Sequence, residues 1–338
     1  MLNLTELFTF LVSMNQPEPQ LQPKPRADLI STLKLCCAVL AISSAPIFIR
    51  FSETGLGPNG TVFNRLLIFV LVFGSIQSAR IGLSARQLKP TEIEPITTQF
   101  WWLLLGVGVT SVFSLGLWAT SLEYISVAKS MLLNNLTPIF TTLGSWLLFR
   151  KQFDARFLVG MIIALIGAIA LGAEDLHGVD NNLFGDGFAL LSAVFLEAYL
   201  MMVEKLRSRF SATTILLSRA IIGSMVLLPV TWFSEGQIFP ATAPVWGAVI
   251  ALGIICEGFG QRLLADSMSH FSCSFIALFL LLEPILSTIL AWIIFAEQLS
   301  PLTWIGFAVV LTGIYLATSS PSTEKEVIPV TVPVNEYS

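Results

Sequence analysis

The sequence predicts an all-α membrane protein of ten transmembrane helices, arranged as two inverted five-helix repeats. Three observations lead there. Hydrophobic residues make up 54% of the 338 and charged residues only 12%, with a mean hydropathy of +0.79, whereas a soluble domain carries about 25% charged residues. Apolar stretches of about 20 residues, the length of a bilayer crossing, recur along nearly the whole chain. Two of these stretches also match each other without a gap at a spacing of 146 residues. Pro138, Ile139, Thr142, Trp146, Phe149, Gln152, Gly160 and Gly167 repeat as Pro284, Ile285, Thr288, Trp292, Phe295, Gln298, Gly306 and Gly313. Leu132, Leu136, Ala119 and Ser121 pair with Leu278, Leu282, Ala265 and Ser267 in the same register.

The expected spans are 30–50, 61–78, 98–122, 125–149, 155–173, 185–204, 213–233, 243–268, 272–296 and 301–319. Segments too polar or too broken to stay helical in lipid separate them. These are the run Gly55 to Gly60, Lys89–Pro90, the acidic stretch Glu174 to Asp186, the run Pro240 to Pro244, and Ser300–Pro301. The repeats then occupy residues 30–173 and 183–319, between terminal tails 1–29 and 320–338 that read as disordered and cytoplasmic. Residues 7–14 are apolar but follow no Lys or Arg and run straight into Pro17 and Pro19, so the start reads as a polar tail and not as a signal peptide.

Basic residues orient the bundle. With the N-terminus inside, the cytoplasmic segments hold Lys24, Arg26, Lys34, Arg80, Arg86, Lys89, Arg150, Lys151, Arg156, Lys205, Arg207, Arg209 and Lys325, 13 of the 18 Lys and Arg. The outer loops hold Glu53, Glu174, Asp175, Asp180, Asp186, Glu235 and Glu297. The positive-inside rule therefore places both termini in the cytoplasm, in a cell (inner or plasma) membrane. Trp101 and Trp102 sit where an inner aromatic belt would lie. An odd number of spans per repeat makes the second repeat enter from the opposite side, so the topology is inverted.

The residues also exclude several functions. Cys36, Cys37, Cys256 and Cys273 lie in or beside apolar spans with no C-x-x-C spacing, and His177 and His270 are distant in sequence, so they read as small buried groups and not as metal ligands. No phosphate-binding glycine loop and no nucleophile–base pair is present, so neither an enzyme, a cofactor nor a nucleic-acid partner is expected. Asn59–Gly60–Thr61 fits a glycosylation acceptor but lies close to a helix end. The net charge of −4 reports topology and not a partner.

The pattern resembles the drug/metabolite transporter superfamily, EamA type, over residues 30 to 319. The residues that carry the resemblance are Leu282–Glu283–Pro284–Ile285 through Trp292 and Phe295–Ala296–Glu297. With them go the fifth-helix glycines Gly160, Gly167, Gly306 and Gly313, and Arg65 and Arg219 near the starts of the second and seventh spans. Two departures stand out: Lys151 occupies the place of Glu297, and the first helix reads Ala41–Ile42–Ser43–Ser44–Ala45–Pro46 without the Trp common in that family. The resemblance implies a carrier of amino acids, other small metabolites or organic cations, or alternatively of nucleotide sugars or sugar phosphates.

Charged groups inside a bilayer are costly and usually functional. Glu283, Glu257 and Glu197 lie within the ninth, eighth and sixth spans, and Asn134, Asn135 and Thr137 at similar depth in the fourth. All six are candidates for binding a substrate or carrying a coupling proton, against the plainer reading of interhelical pairing with Arg262 or Arg219. Pro138 and Pro284 lack the N–H that would bond the carbonyls of Asn134 and Leu280, so each should break its helix and leave a carbonyl free near the midplane. Broken helices at corresponding places in two halves point to a transport site. Lys129 and Glu123 are expected to form a pair at the outer mouth. With no nucleotide-binding motif, the expected partners are a small-molecule substrate, the lipid bilayer and a coupling proton. The oligomeric state is not encoded in these features. The rival is a non-transporting receptor or assembly factor on the same bundle, in which every buried acid would be paired.

Overall fold

The computed structural model describes residues 29–84, 98–121, 124–125, 127–173, 182–296 and 299–320. The tails, Glu123, most of the acidic 174–186 stretch and Glu297 lie outside them.

The first segment is broken into α1 (Leu29–Ser43) and α2 (Ala45–Ser52), with Ser44 at the bend and Pro46 starting the second piece. There follow α3 (Pro58–Ser84), α4 (Thr98–Ser121), α5 (Val127–Asn134), α6 (Thr137–Phe149) and α7 (Ala155–Ala173). The second half contains α8 (Leu183–Leu206), α9 (Ala212–Ser234) and α10 (Ala243–Ala251), which runs through a π-helical stretch, Leu252–Gln261, into α11 (Arg262–Ser267). It closes with α12 (Cys273–Phe279), α13 (Leu282–Phe295) and α14 (Pro301–Thr318). Eight helical runs among the described residues are long and apolar enough to cross a membrane, and Ala155–Leu171 is a shorter apolar helix. This is an integral, multi-pass membrane protein.

Local chemistry sets the helix ends. The Asn182 side chain accepts from the backbone N–H of Phe184 at 3.0 Å to start α8. Ser211 does the same for Thr214 at 3.2 Å, and Ser300 for Thr303 at 3.1 Å. Asp186, in the first turn of α8, takes Lys129 of α5 at 2.7 Å, whereas the Glu123 expected to pair with Lys129 lies outside the described residues. Arg150 and Ala296 close α6 and α13 in the left-handed region, at φ 53° and 54°. These two residues are 146 apart, so the duplicated segments end with the same backbone turn.

Packing follows the duplication. α7 lies along α14, α4 along α8, and α3 along α9, while α1 packs on the π stretch. Phe69, Phe157, Leu200, Leu216 and Leu217 are among the fully buried core residues, and Trp102, Leu147, Phe233 and Ile293 face outward. The α7–α14 seam is backbone-close. A Cβ at Gly160 would lie 2.6 Å from the Gly313 carbonyl oxygen, and one at Gly167 2.6 Å from the Val310 nitrogen and 3.0 Å from the Gly306 oxygen. Small residues permit this approach in lipid, where dispersion and not the hydrophobic effect drives helix association.

At one end of the bundle, the carboxylate of Glu235 receives the first backbone N–H groups of α3. Its Oε1 accepts from Asn59 at 2.7 Å and its Oε2 from Gly60 at 2.9 Å. Asn64 donates to the Ile238 carbonyl at 2.6 Å and Gln237 to that of Gly55 at 3.0 Å, so the α2–α3 loop is latched to the segment after α9.

Candidate functional site: a buried ion cluster and its cavity

The site forms where α1, α4, α8, α9, the π stretch and the α12–α13 break converge. A π-helix hydrogen-bonds i to i+5 and widens the helix, a geometry concentrated at functional positions. Glycines allow it here: a Cβ at Gly253 would meet Ile68, and one at Gly260 would meet Ile42, so α1 and α3 close directly onto this stretch. Glu257, which it carries, is 1% exposed. Its Oε1 lies 2.5 Å from Nη1 of Arg219 and its Oε2 3.3 Å from Nε of Arg65. Arg219 donates from Nε to Ser111 Oγ at 2.7 Å, and its guanidinium sits 5.1 Å from the centre of the Tyr199 ring. One acid thus holds an arginine from each half of the chain. An ion cluster this deep is stable only while its partners stay together, because each charge has lost its water.

Beside the cluster lies a cavity of about 130 Å³. Its polar wall is Arg219, Glu283, Tyr199, Gln261, Ser111 and Ser114, and its apolar wall includes Ile42, Leu196, Leu264 and Leu280. Glu283 stands in the first turn of α13 and has no hydrogen-bond or ion-pair partner among the described residues, although Arg65 is near enough to act on it electrostatically. Neighbouring bonds tie the bend in the first segment to this region: Ser287 donates to the Ser43 carbonyl at 2.9 Å, and Ser44 meets Cys256 at 3.5 Å.

α5 ends at Asn134 ahead of Pro138, and α12 at Phe279 ahead of Pro284. The carbonyls they release are not left open, however. The Asn134 carbonyl accepts the Thr137 hydroxyl at 2.6 Å, and the Leu280 carbonyl accepts the Glu283 backbone N–H at 2.9 Å. A carbonyl in a nonaqueous interior takes the nearest donor, and Thr137 and Glu283, themselves 146 residues apart, supply it in both halves.

The structure brings Glu283 and, through Arg219, Glu257 to one cavity. Asn134, Asn135, Thr137 and Glu197 lie outside its wall. Glu197 faces α6 instead, 4% exposed, with neither carboxylate oxygen hydrogen-bonded. Thr141 is beside it, but its hydroxyl is donated to the Thr137 carbonyl at 2.8 Å. Of the two arginines named for the plainer pairing, Arg219 does pair with Glu257, joined by Arg65, and among the described residues no acid pairs with Arg262. Sequence reasoning passed over Ser111, Ser114, Tyr199 and Gln261. On helices apolar all round, no periodicity marks the face turned toward a cavity.

The EamA-like transporter family matches residues 29–173 and again residues 183–319. The chain belongs to that family. It is a transporter rather than an enzyme. An uncharacterized transporter of Archaeoglobus fulgidus is 24% identical over 271 residues, covering 74% of this chain and 96% of the relative. The pseudopaline exporter CntI of Pseudomonas aeruginosa is 22% identical over 211 residues, covering 62% of this chain and 72% of the exporter. A protein crystal structure superposes with a TM-score of 0.73 at 18% identity, covering 87% of this chain and 98% of the other, a likeness of fold.

Proposed function

We propose that this transporter is a gradient-driven secondary carrier that exports small zwitterionic or cationic metabolites, amino acids or organic amines, by alternating access between two inverted five-helix repeats of ten spans. One observation carries the substrate reading: Glu283, unpaired among the described residues, shares a cavity wall with Arg219. An ammonium group would lie against Glu283 while a carboxylate turns toward Arg219, with Ser111 and Tyr199 beside it. The buried charges Arg65, Arg219, Glu257 and Glu283 sum to zero, and a zwitterion leaves that sum unchanged. A phosphorylated substrate would add negative charge where both arginines are already shared with Glu257.

Size argues the same way. A cavity of about 150 Å³ accommodates a benzene-sized molecule, and the volume here is about 130 Å³. A nucleotide sugar is several times larger. The unpaired Glu283 also weighs against a receptor or assembly factor, in which each buried acid would be matched. CntI is named an exporter, which supports the direction proposed.

The inverted arrangement is supported by the seam. Gly160 meets Gly313, and Gly167 meets Gly306; a shift of 146 residues turns each pair into the other. A two-fold axis between α7 and α14 has this property. The excess of Lys and Arg on one side supports cytoplasmic termini. Reconstituted vesicles test the function. Uptake of radiolabelled neutral amino acids or small amines is expected, and Glu283→Gln should abolish it while the protein still folds. No uptake of any of them, or full uptake by Glu283→Gln, would sink the reading. A reporter fused after Ser338 that is active only outside the cell would overturn the topology.

A further inference from the structure

Among the described residues, Glu197 is a second buried acid with no hydrogen-bond or ion-pair partner, and its surroundings differ from those of Glu283. It lies on α8, as do the wall residues Leu196, Tyr199 and Leu200, but on the face turned to α6 and away from the cavity. Both carboxylate oxygens are buried and unbonded. α6 passes over it at a glycine: a Cβ built on Gly144 would lie 3.5 Å from Glu197 Oε1 and 3.1 Å from the Met201 sulfur. The neighbouring Thr141 hydroxyl is donated to the Thr137 carbonyl at 2.8 Å, and where α12 meets α6 Ser274 donates to Ser145 at 3.2 Å.

A carboxylate so enclosed must have its charge cancelled, because an unaccompanied buried ion is among the costliest groups a fold can hold. Among the described residues, no basic side chain pairs with it. α4, α6 and α12 contain no Lys, Arg, His, Asp or Glu, and Cys273 is the one titratable group on those three helices. Lys129 of α5 is engaged with Asp186 at 2.7 Å. On α8 itself, Glu204 adds negative charge, and Tyr199 sits against the Arg219 guanidinium. A proton is the cation that fits without further room.

We propose that Glu197 is the proton-carrying site of this transporter, separate from the substrate cavity and joined to it by α8. This rests on the transport function proposed above. An O–H bond forms on one Glu197 oxygen with a proton taken from hydronium, which becomes water and leaves, and α6 then closes against α8. When the two part, water enters, the O–H bond breaks and the proton returns to water. α6 is suited to move because it follows the break at Asn135 and Leu136. Because α8 presents Glu197 on one face and cavity wall on another, occupancy of one site changes the packing of the other.

Two arms test this on the purified full-length protein. In the first, infrared spectra at neutral pH are compared for wild type and Glu197→Gln, in sodium and in potassium salts. The wild type should show the absorption of a protonated carboxyl group that Glu197→Gln lacks, unchanged between the two salts. Identical spectra would overturn the proposal. So would a carboxyl signal that disappears in sodium alone, which would assign a sodium site. In the second arm, vesicles take up radiolabelled neutral amino acids with and without an imposed pH gradient. Glu197→Gln should still move substrate but lose the gradient's acceleration, and an acceleration equal to wild type would overturn the proposal. If wild-type vesicles take up nothing, the transport reading fails, and the infrared arm alone decides whether Glu197 holds a proton.

Discussion

Gly160 and Gly313 meet backbone to backbone: a Cβ on Gly160 would stand 2.6 Å from the Gly313 carbonyl oxygen, and one on Gly313 would stand 2.5 Å from that of Gly160. No flexible side chain is present to give way, so Gly313→Ala must push α7 and α14 apart. Overpacking of this kind costs about 1–3 kcal/mol, read as a lower thermal midpoint in detergent. Gly187→Ala is the control, because nothing lies within 4 Å of its Cβ. Replacing a helical glycine by alanine there should stabilise by about 0.5–1 kcal/mol.

The ion cluster separates two acids by their roles. Glu257→Gln leaves Arg65 and Arg219 without their shared counter-ion and should cost about 3–5 kcal/mol. Arg65→Met should cost less, since Arg219 remains 2.5 Å from Glu257. Glu283→Gln removes no bond and should leave the thermal midpoint near that of the wild type while uptake is lost. Equal destabilisation by Glu257→Gln and Glu283→Gln would show that both acids are structural.

The paired breaks give a third expectation. Pro138→Ala restores an N–H within reach of the Asn134 carbonyl, in competition with the Thr137 hydroxyl now bound at 2.6 Å. Pro284→Ala does the same at Leu280. Healing either break should hold or slightly raise stability, because each proline stands in the first turn of its helix where it is tolerated, and should lower the transport rate. Unchanged transport in both variants would reduce the breaks to packing features.

Glu53, near the Glu235 latch, is the pH-sensitive acid at this end of the bundle. Burial pushes the Glu53 carboxyl above its ordinary value of 4.5, and the nearby Glu235 charge adds to the effect. A group whose folded value is raised favours the fold in its protonated form, so its contribution is present at acid pH and lost as pH rises through the raised value. Glu53→Gln should therefore flatten the pH dependence of thermal stability above 4.5 and raise the midpoint at neutral pH. Glu235→Gln should lower it, since a carboxylate suits the N-terminus of α3 better than an amide. An unchanged pH profile in Glu53→Gln would remove the coupling.

The repeated spacing of glycines and prolines was legible because these residues act through the backbone, where a residue type means much the same in any context. Gly160, Gly167, Gly306 and Gly313 mark the seam, and Pro138 and Pro284 the breaks, by residue type and spacing alone. Glu257 and Glu283 were legible because charge stands out in an apolar span. Their division of labour was not, since it depends on which helix turns Arg65 and Arg219 toward which acid. The π stretch at Leu252–Gln261 left no trace in hydropathy, which is the same for a given sequence in either helical form. The fate of the Asn134 and Leu280 carbonyls was misread for a similar reason: a proline shows which bond is lost and not which neighbour replaces it.

The α7–α14 seam has an ancestral consequence. Under the inverted arrangement proposed above, a lone half carrying one copy of these glycines would make the whole contact with a second, upside-down molecule of itself, and every substitution in it would be felt twice. Joining two copies in one chain ends that constraint, and each copy can then change alone. Thr137 and Glu283 occupy the same place in the two copies, yet one is a hydroxyl closing a broken helix and the other an acid facing the cavity. The glycines that hold the copies together have stayed alike, while the residues at the breaks have taken up different work.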